Sequence, residues 1–331
     1  MEQNSPQLED RFLEPPGWRW HSFEHKGRRI RYGCVFPDGS IPDAVIVCLQ
    51  GVREFSEKYF ETARWALEHN MAFWVFDWVG QGLSTRYLKN PQKRHGEDFA
   101  HYVDDLHAFI LGYVKHSSVH PDKGRIPLAL LAHSMGANVG MRYLAQYPDM
   151  FECAAFSAPM IALKVFEHVP QKLALGCACV LNLLAGSCYV PFGGDWSDTP
   201  PPPGRLLSGD AQRSLVHSAW SAFNPDLRCG AVTLGWVYQA QRACLHVQHP
   251  DFARAIKTHC LFGIPGHDHL VDNTIGRRVI SRFEHAKTLF FPDGHHEILM
   301  EVDNIRYQYL DHFYTLIKER IIDRPESLKP F

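Results

Sequence analysis

Ser134 stands in the run Ala132-His133-Ser134-Met135-Gly136, between an apolar stretch of strand length at residues 127–132 (PLALLA) and a helical stretch at residues 137–148 (ANVGMRYLAQYP). A serine at a sharp strand-to-helix turn is held proud of a sheet, beside backbone N–H groups of the helix N-terminus that can face developing negative charge. Strand and helix pack closely at such a turn, so the residues two before and two after the serine must be small. Gly136 meets this need, and Ala132 does so with one methyl to spare. The chemistry this offers is nucleophilic attack on a carbonyl. A five-residue pattern also fits a buried structural serine, but the strand before it and the helix after it favour the nucleophile.

A serine hydroxyl is a poor nucleophile until a base takes its proton, and a histidine base needs a carboxylate to hold its tautomer. Asp268 follows the strand-like residues 259–264 (HCLFGI) by a short Pro-Gly loop, and His296 follows residues 287–291 (KTLFF) by Pro-Asp-Gly-His. Strand ends at one edge of a parallel sheet lie close together, so residues remote in sequence can meet there. His295 is a rival base and Asp272 a rival acid, and the residues alone leave both choices open. His267-Asp268-His269 and the His295-His296 pair raise the question of metal. Adjacent side chains rarely converge on one ion, and no His-Glu-x-x-His or Cys-rich set accompanies them, so no metal is expected. Gly51, Gly80 and Gly82 do not make a dinucleotide fingerprint, and no cofactor is expected.

The elements that must position these groups alternate. Residues 44–49 (AVIVCL), 72–76 (AFWVF) and 127–132 are apolar throughout, as suits strands buried on both faces of a parallel sheet. Between the second and third, Phe99, Tyr102, Val103, Leu106, Phe109, Ile110 and Tyr113 mark one face of an amphipathic helix. This is the pattern of a doubly wound α/β architecture. It breaks after Pro159 and resumes near His259, and a closing helix over residues 305–317 is expected to stop at Pro325. The division is therefore a core over residues 1–159 and 241–331, with an inserted helical segment at 160–240 that includes the proline run 199–204 (TPPPPG). Residues 173–194 carry no charge, but Asn182, Gly186-Ser187 and Pro191 cut the stretch to an apolar piece at 173–185. That piece suits a buried core helix or an exposed, lipid-facing lid rather than a membrane span.

The 331 residues, 45% hydrophobic and 21% charged, are ordinary for a globular protein. Thirty-four Lys and Arg against 36 Asp and Glu leave a formal charge of −2 with no basic block, so a nucleic-acid partner is not expected. Twenty histidines mean that mild acid should turn the surface cationic. Nine scattered cysteines, an odd number without a C-x-x-C pair, and a polar N-terminus without a signal-like apolar region favour a reducing cytoplasm.

The runs QGVREFSEKYFE (50–61), FDWVGQGLS (76–84), AHSMGA (132–137), GHDHLVDN (266–273) and HHEILME (295–301) together resemble the α/β-hydrolase family. More narrowly they are similar to its bacterial lysophospholipase L2 and monoacylglycerol lipase group, in the same order over most of residues 20–320. The resemblance implies an α/β-hydrolase fold: a mostly parallel eight-stranded sheet with helices on both faces and a helical cap inserted after the sixth strand. It selects Ser134 as nucleophile, Asp268 as acid and His296 as base, with the backbone N–H groups of Val52 and Met135 as oxyanion donors. Two departures stand out. Gln50-Gly51 replaces the family's usual His-Gly, and alanines occupy 132 and 137 where glycines are usual. The implied activity is cofactor-free hydrolysis of a single-chain lipid ester, in the cytoplasm and in peripheral contact with the inner membrane face through the cap. A peptidase or small-ester hydrolase, an acyl transferase and a non-catalytic ligand-binding protein are the alternatives on the same fold.

Overall fold

The computed structural model describes residues 5–120, 124–198 and 206–324. Eight strands share one sheet: β1 (Arg19–His25), β2 (Arg28–Val35), β3 (Ala44–Leu49), β4 (Met71–Phe76), β5 (Leu128–His133), β6 (Cys153–Ser157), β7 (His259–His267) and β8 (Ala286–His295). They lie side by side in the order β1-β2-β4-β3-β5-β6-β7-β8. β2 runs antiparallel to both β1 and β4, and every other neighbouring pair is parallel. The longer helices are α1 (Phe60–Glu68), α2 (Phe99–Phe109), α3 (Met135–Gln146), α4 (Gln171–Ala185), α5 (Arg213–Phe223), α6 (Leu234–Gln248), α7 (Asn273–Ile280) and α8 (Asp303–Ile317).

The unbroken apolar runs of the central strands divide by the two-residue strand period. Val45, Val47 and Leu49 of β3 enter a core shared with α2, α3, α6 and α7, whereas Ala44, Ile46 and Cys48 enter the opposite core with α1, α5 and α8. Ala72, Trp74 and Phe76 of β4 face the first core, and Met71, Phe73 and Val75 the second. The sheet is thus sandwiched, and its parallel strands all end at one edge. The helix expected from the spacing of residues 99–113 is α2, which passes without a break into one π-type turn, Ile110–Val114. The closing helix is α8; Pro325 and the proline run 199–204 lie outside the described residues.

Between β6 and β7 the chain contributes α4, α5 and α6. α6 lays Trp236, Ala240, Ala243, Cys244 and Val247 into the first core and runs unbroken across residue 240. α4 packs on α6. A buried core helix, one of the two expectations for residues 173–185, is not what forms. Only Ala174 and Ala178 of α4 are buried, while Leu183 and Leu184 are 78% and 79% exposed. The cause is the placement of small residues: the two alanines, one turn apart, occupy the packed stripe and let the helices approach, so the leucines project outward. Among the described residues no helix is long and apolar enough to cross a membrane. All nine cysteines are free thiols.

Candidate active site

Ser134 links β5 to α3 with φ 51° and ψ −114°, a backbone conformation that costs a non-glycine residue about 1–3 kcal/mol. Surrounding hydrogen bonds hold it there. Its N–H donates to the Ser157 carbonyl at 3.0 Å, and its carbonyl accepts from the N–H groups of Asn138 at 3.2 Å and Met160 at 3.1 Å. The need for a small residue at 136 is steric: a Cβ there would lie 2.5 Å from the carbonyl oxygens of both Leu49 and Gln50. α3 therefore begins hard against the end of β3.

The structure brings three of the expected side chains into one chain of hydrogen bonds. His296 Nδ1–H donates to Asp268 Oδ2 at 2.7 Å. With that nitrogen donating, Nε2 is the acceptor, and Ser134 Oγ–H reaches it at 2.9 Å. Asp268 Oδ1 meanwhile accepts the N–H groups of Leu270 at 2.8 Å and Val271 at 3.0 Å. Burial pushes the Asp268 carboxyl up, but the His296 ring and these two N–H donors outweigh it and hold the group below its ordinary value. Burial likewise depresses His296, yet Asp268, with smaller contributions from Glu297 and Glu54, more than offsets it and makes the ring more basic than a free histidine. Ser134 and His296 are 4% and 3% exposed. The rivals are turned to other tasks: His295 Nδ1–H bonds Glu301 Oε1 at 2.8 Å, and Asp272 caps α7 through the N–H groups of Thr274 and Ile275.

Val52 lies in the loop after β3, and the N–H groups of both its neighbours are tied. Gly51 N–H donates to Glu54 Oε2 at 2.5 Å, and Arg53 N–H donates to Gln81 Oε1 at 3.0 Å. The Gln81 amide donates to the carbonyls of Gly51 at 2.8 Å and Glu54 at 2.7 Å. His217 Nε2 from α5 lies 3.0 Å from the Arg53 carbonyl. The Val52 N–H itself meets no acceptor among the described residues. Met135 opens α3, so its N–H has no partner within the helix. Gln50 is buried; its side-chain amide donates to Ser56 Oγ and Asp77 Oδ1, both at 3.0 Å, and its backbone carbonyl accepts from Trp78 Nε1 at 2.9 Å. It anchors the start of the loop.

Glu54, Gln81 and His217 were not singled out by sequence reasoning. Glu54 and Gln81 fall inside the quoted runs, but a charged or amide side chain there reads as an ordinary solvated residue until the fold turns it inward. Among the described residues no three His, Cys, Asp or Glu side chains converge as a metal site would require.

This strand order, with a serine at the strained turn after β5, defines an α/β-hydrolase. The profile of the serine aminopeptidase S33 family matches residues 40–303, and the chain belongs to that family. It is 26% identical over 299 residues to a probable lysophospholipase L2 of Haemophilus influenzae, covering 87% of this chain and 89% of that one. Lysophospholipase L2 of Escherichia coli is 28% identical over 276 residues, covering 80% and 77% of the two chains. A soluble variant of the monoglyceride lipase of Saccharomyces cerevisiae superposes with a TM-score of 0.70 over 92% of this chain and 96% of its own, at 14% identity, a likeness of fold.

Proposed function

We propose that this carboxylic ester hydrolase cleaves single-chain lipid esters, a lysophospholipid or a monoacylglycerol, through an acyl-enzyme on Ser134. The observation that carries the reading is the relay from Asp268 Oδ2 through His296 to Ser134 Oγ, with contacts of 2.7 and 2.9 Å. In the first half-reaction the Ser134 oxygen attacks the acyl carbonyl while His296 Nε2 takes its proton. The carbonyl oxygen gathers negative charge, and the N–H groups of Val52 and Met135 receive it; one such donor is worth about 10²–10³ in rate. His296 then returns the proton to the leaving alcohol. In the second half a water, deprotonated by the same nitrogen, attacks the acyl-enzyme, and His296 passes that proton to Ser134 Oγ as the acyl–oxygen bond breaks and the fatty acid leaves. Asp268 orients the ring and stabilises its charged form.

The lipid preference is supported by the relatives whose names describe lysophospholipases and by the exposed leucines of α4. Rates for p-nitrophenyl esters of rising chain length, set beside proline-amide substrates, test it. Long acyl chains should be favoured by at least tenfold over acetate, and the amide should be inert. Faster amide cleavage would replace this reading with the peptidase that the family name describes.

The inserted segment also supplies membrane contact in this reading. Val165, Leu173, Val180, Leu183, Leu184 and Phe192 are all exposed apolar side chains of this part of the chain, and such a surface partitions toward lipid. Co-sedimentation with anionic liposomes should strengthen from mildly alkaline to mildly acidic buffer as surface histidines gain charge. Leu183→Glu with Leu184→Glu should weaken it several-fold while leaving hydrolysis of a short soluble ester intact. Binding that ignores both changes would remove this contact.

A further inference from the structure

A buried lysine lies between the two loops that this mechanism depends on. Lys58 belongs to the short turn Ser56–Tyr59 that leads into α1, and it is 4% exposed. Its Nζ lies 2.7 Å from Glu54 Oε1 and 2.6 Å from Glu297 Oε1. Each carboxylate belongs to a different part of the site. Glu54 uses its other oxygen to accept the Gly51 N–H at 2.5 Å and the Tyr59 hydroxyl at 2.7 Å, so it holds the peptide next to Val52. Glu297 is the residue after His296, and its N–H donates to the Leu207 carbonyl at 2.8 Å.

We propose that Lys58 is a positioning residue: through Glu54 and Glu297 it ties the oxyanion loop to the loop that carries the base, so that Val52 N–H and His296 Nε2 address the same reacting carbonyl. The inference rests on the proposed roles of Ser134, His296 and Val52. The two parts of the site, one after β3 and one after β8, are far apart in sequence, and Lys58 joins them directly through its two ion pairs. A brace between them fixes the separation of proton acceptor and oxyanion donor, the distance on which orientation in the transition state depends.

The surroundings keep the brace charged in one way. Burial disfavours the Lys58 cation, but Glu297 and Glu54 outweigh it, and the group stays protonated. Burial raises Glu54, but Lys58, through its charge and with the hydrogen bonds from Lys58 and Tyr59, brings it below its ordinary value. Two histidines that face the cluster are neutral. Burial pushes His133 down to about 3 and His217 down to about 4. The His133 ring lies 4.9 Å from that of His296, in edge contact. It is a neutral spacer between the ion cluster and the base. A second histidine cation at this place would oppose the charge that His296 acquires.

A double-mutant cycle tests the brace, using isosteric changes that retain Lys58. Glu54→Gln should lower kcat by about 10²-fold, because it also loosens the Gly51 peptide. Glu297→Gln should lower it by about tenfold, with KM unchanged in both. Once either end is broken the brace is gone, so the double variant should match Glu54→Gln within about threefold, far from the product of the two effects. Lys58→Met should fall to the level of Glu297→Gln and Lys58→Arg should recover part of the loss. If Lys58→Met does not fold, the glutamine cycle alone decides. The rate at which a fluorophosphonate labels Ser134 gives a second readout that needs no lipid and should follow the same pattern. Multiplying effects, or an unchanged kcat in Glu297→Gln, would overturn the brace and leave the ester-cleaving site standing. Absence of Ser134-dependent labelling in the unaltered protein would overturn both.

Discussion

With Ser134 replaced by alanine, ester hydrolysis should fall by about 10⁴- to 10⁶-fold while the fold persists. Without Oγ no acyl-enzyme forms, and His296 is left to activate water toward a carbonyl placed for a different attacker. In the proposed mechanism the residual rate comes from the two N–H groups of Val52 and Met135, which alanine does not disturb. The fold should persist because the turn is held by backbone groups. Ser134 N–H on Ser157, and Asn138 and Met160 N–H on the Ser134 carbonyl, are all unaffected by loss of the hydroxyl. Among the described residues the side chain makes one hydrogen bond, to His296 Nε2. Removing it should move the thermal midpoint by a few degrees at most. The measurements are p-nitrophenol release, fluorophosphonate labelling and a melting curve on the same preparation. Equal labelling of the two proteins would remove Ser134 as the nucleophile. An unaltered protein that cleaves no ester, yet melts higher with a monoacylglycerol bound, would point to a binding protein on the same fold.

What the sequence made legible follows from how far each signal travels along the chain. Residues 44–49 and 127–132 could be recognised as central strands because a strand covered on both faces needs apolar residues at every position. The turn at Ser134 could be recognised because its strand, small flanking residues and helix are contiguous. β1 gave no comparable signal: in RWHSFEH only Phe23 is buried, since this strand lies at the edge of the sheet. β6 is CAAFS, fully buried but too short and too rich in small residues to stand out. For the base and the acid, strand ends narrowed the choice to pairs of neighbours. The residues alone did not separate His296 and Asp268 from His295 and Asp272; in the structure the backbone turns His296 toward Ser134 and Asp268 toward His296, and leaves His295 bonded to Glu301 and Asp272 capping α7. Lys58 was the least legible, because the carboxylate that explains it, Glu297, is far away in the chain and an exposed lysine is the ordinary expectation. For α4 composition pointed two ways, and the burial of Ala174 and Ala178 in place of its leucines excludes the buried core helix.

Asp268→Asn should cost about 10⁴ in kcat with little change in KM, and it should carry the acid limb of the pH-rate profile to lower pH. The loss follows from the way an amide must sit. Asp268 Oδ1 receives two backbone N–H groups, at 2.8 and 3.0 Å, so the carbonyl oxygen of asparagine takes that place. Its NH₂ group then occupies the position of Oδ2, against His296 Nδ1. Two donors cannot face each other, so the ring shifts its proton to Nε2 and presents an N–H to Ser134 Oγ, which has its own proton to lose. The base is blocked by its tautomer while the ring stays in place. The pH shift has a separate cause. In the native site the carboxylate lifts the ring above its ordinary value despite burial, so activity, which needs the neutral ring, falls as pH drops through a point above about 6.5. In the variant burial remains and the main charge opposing it is gone, so the ring loses its proton at lower pH and the limb moves down. Asp272→Asn is the matched control: asparagine caps a helix as well as aspartate does, so kcat and the profile should stay as they were. If instead Asp272→Asn lost the activity and Asp268→Asn stayed within tenfold of the unaltered enzyme, the carboxylate serving His296 during turnover would be the one at 272, and the contact at 268 would be a resting arrangement only.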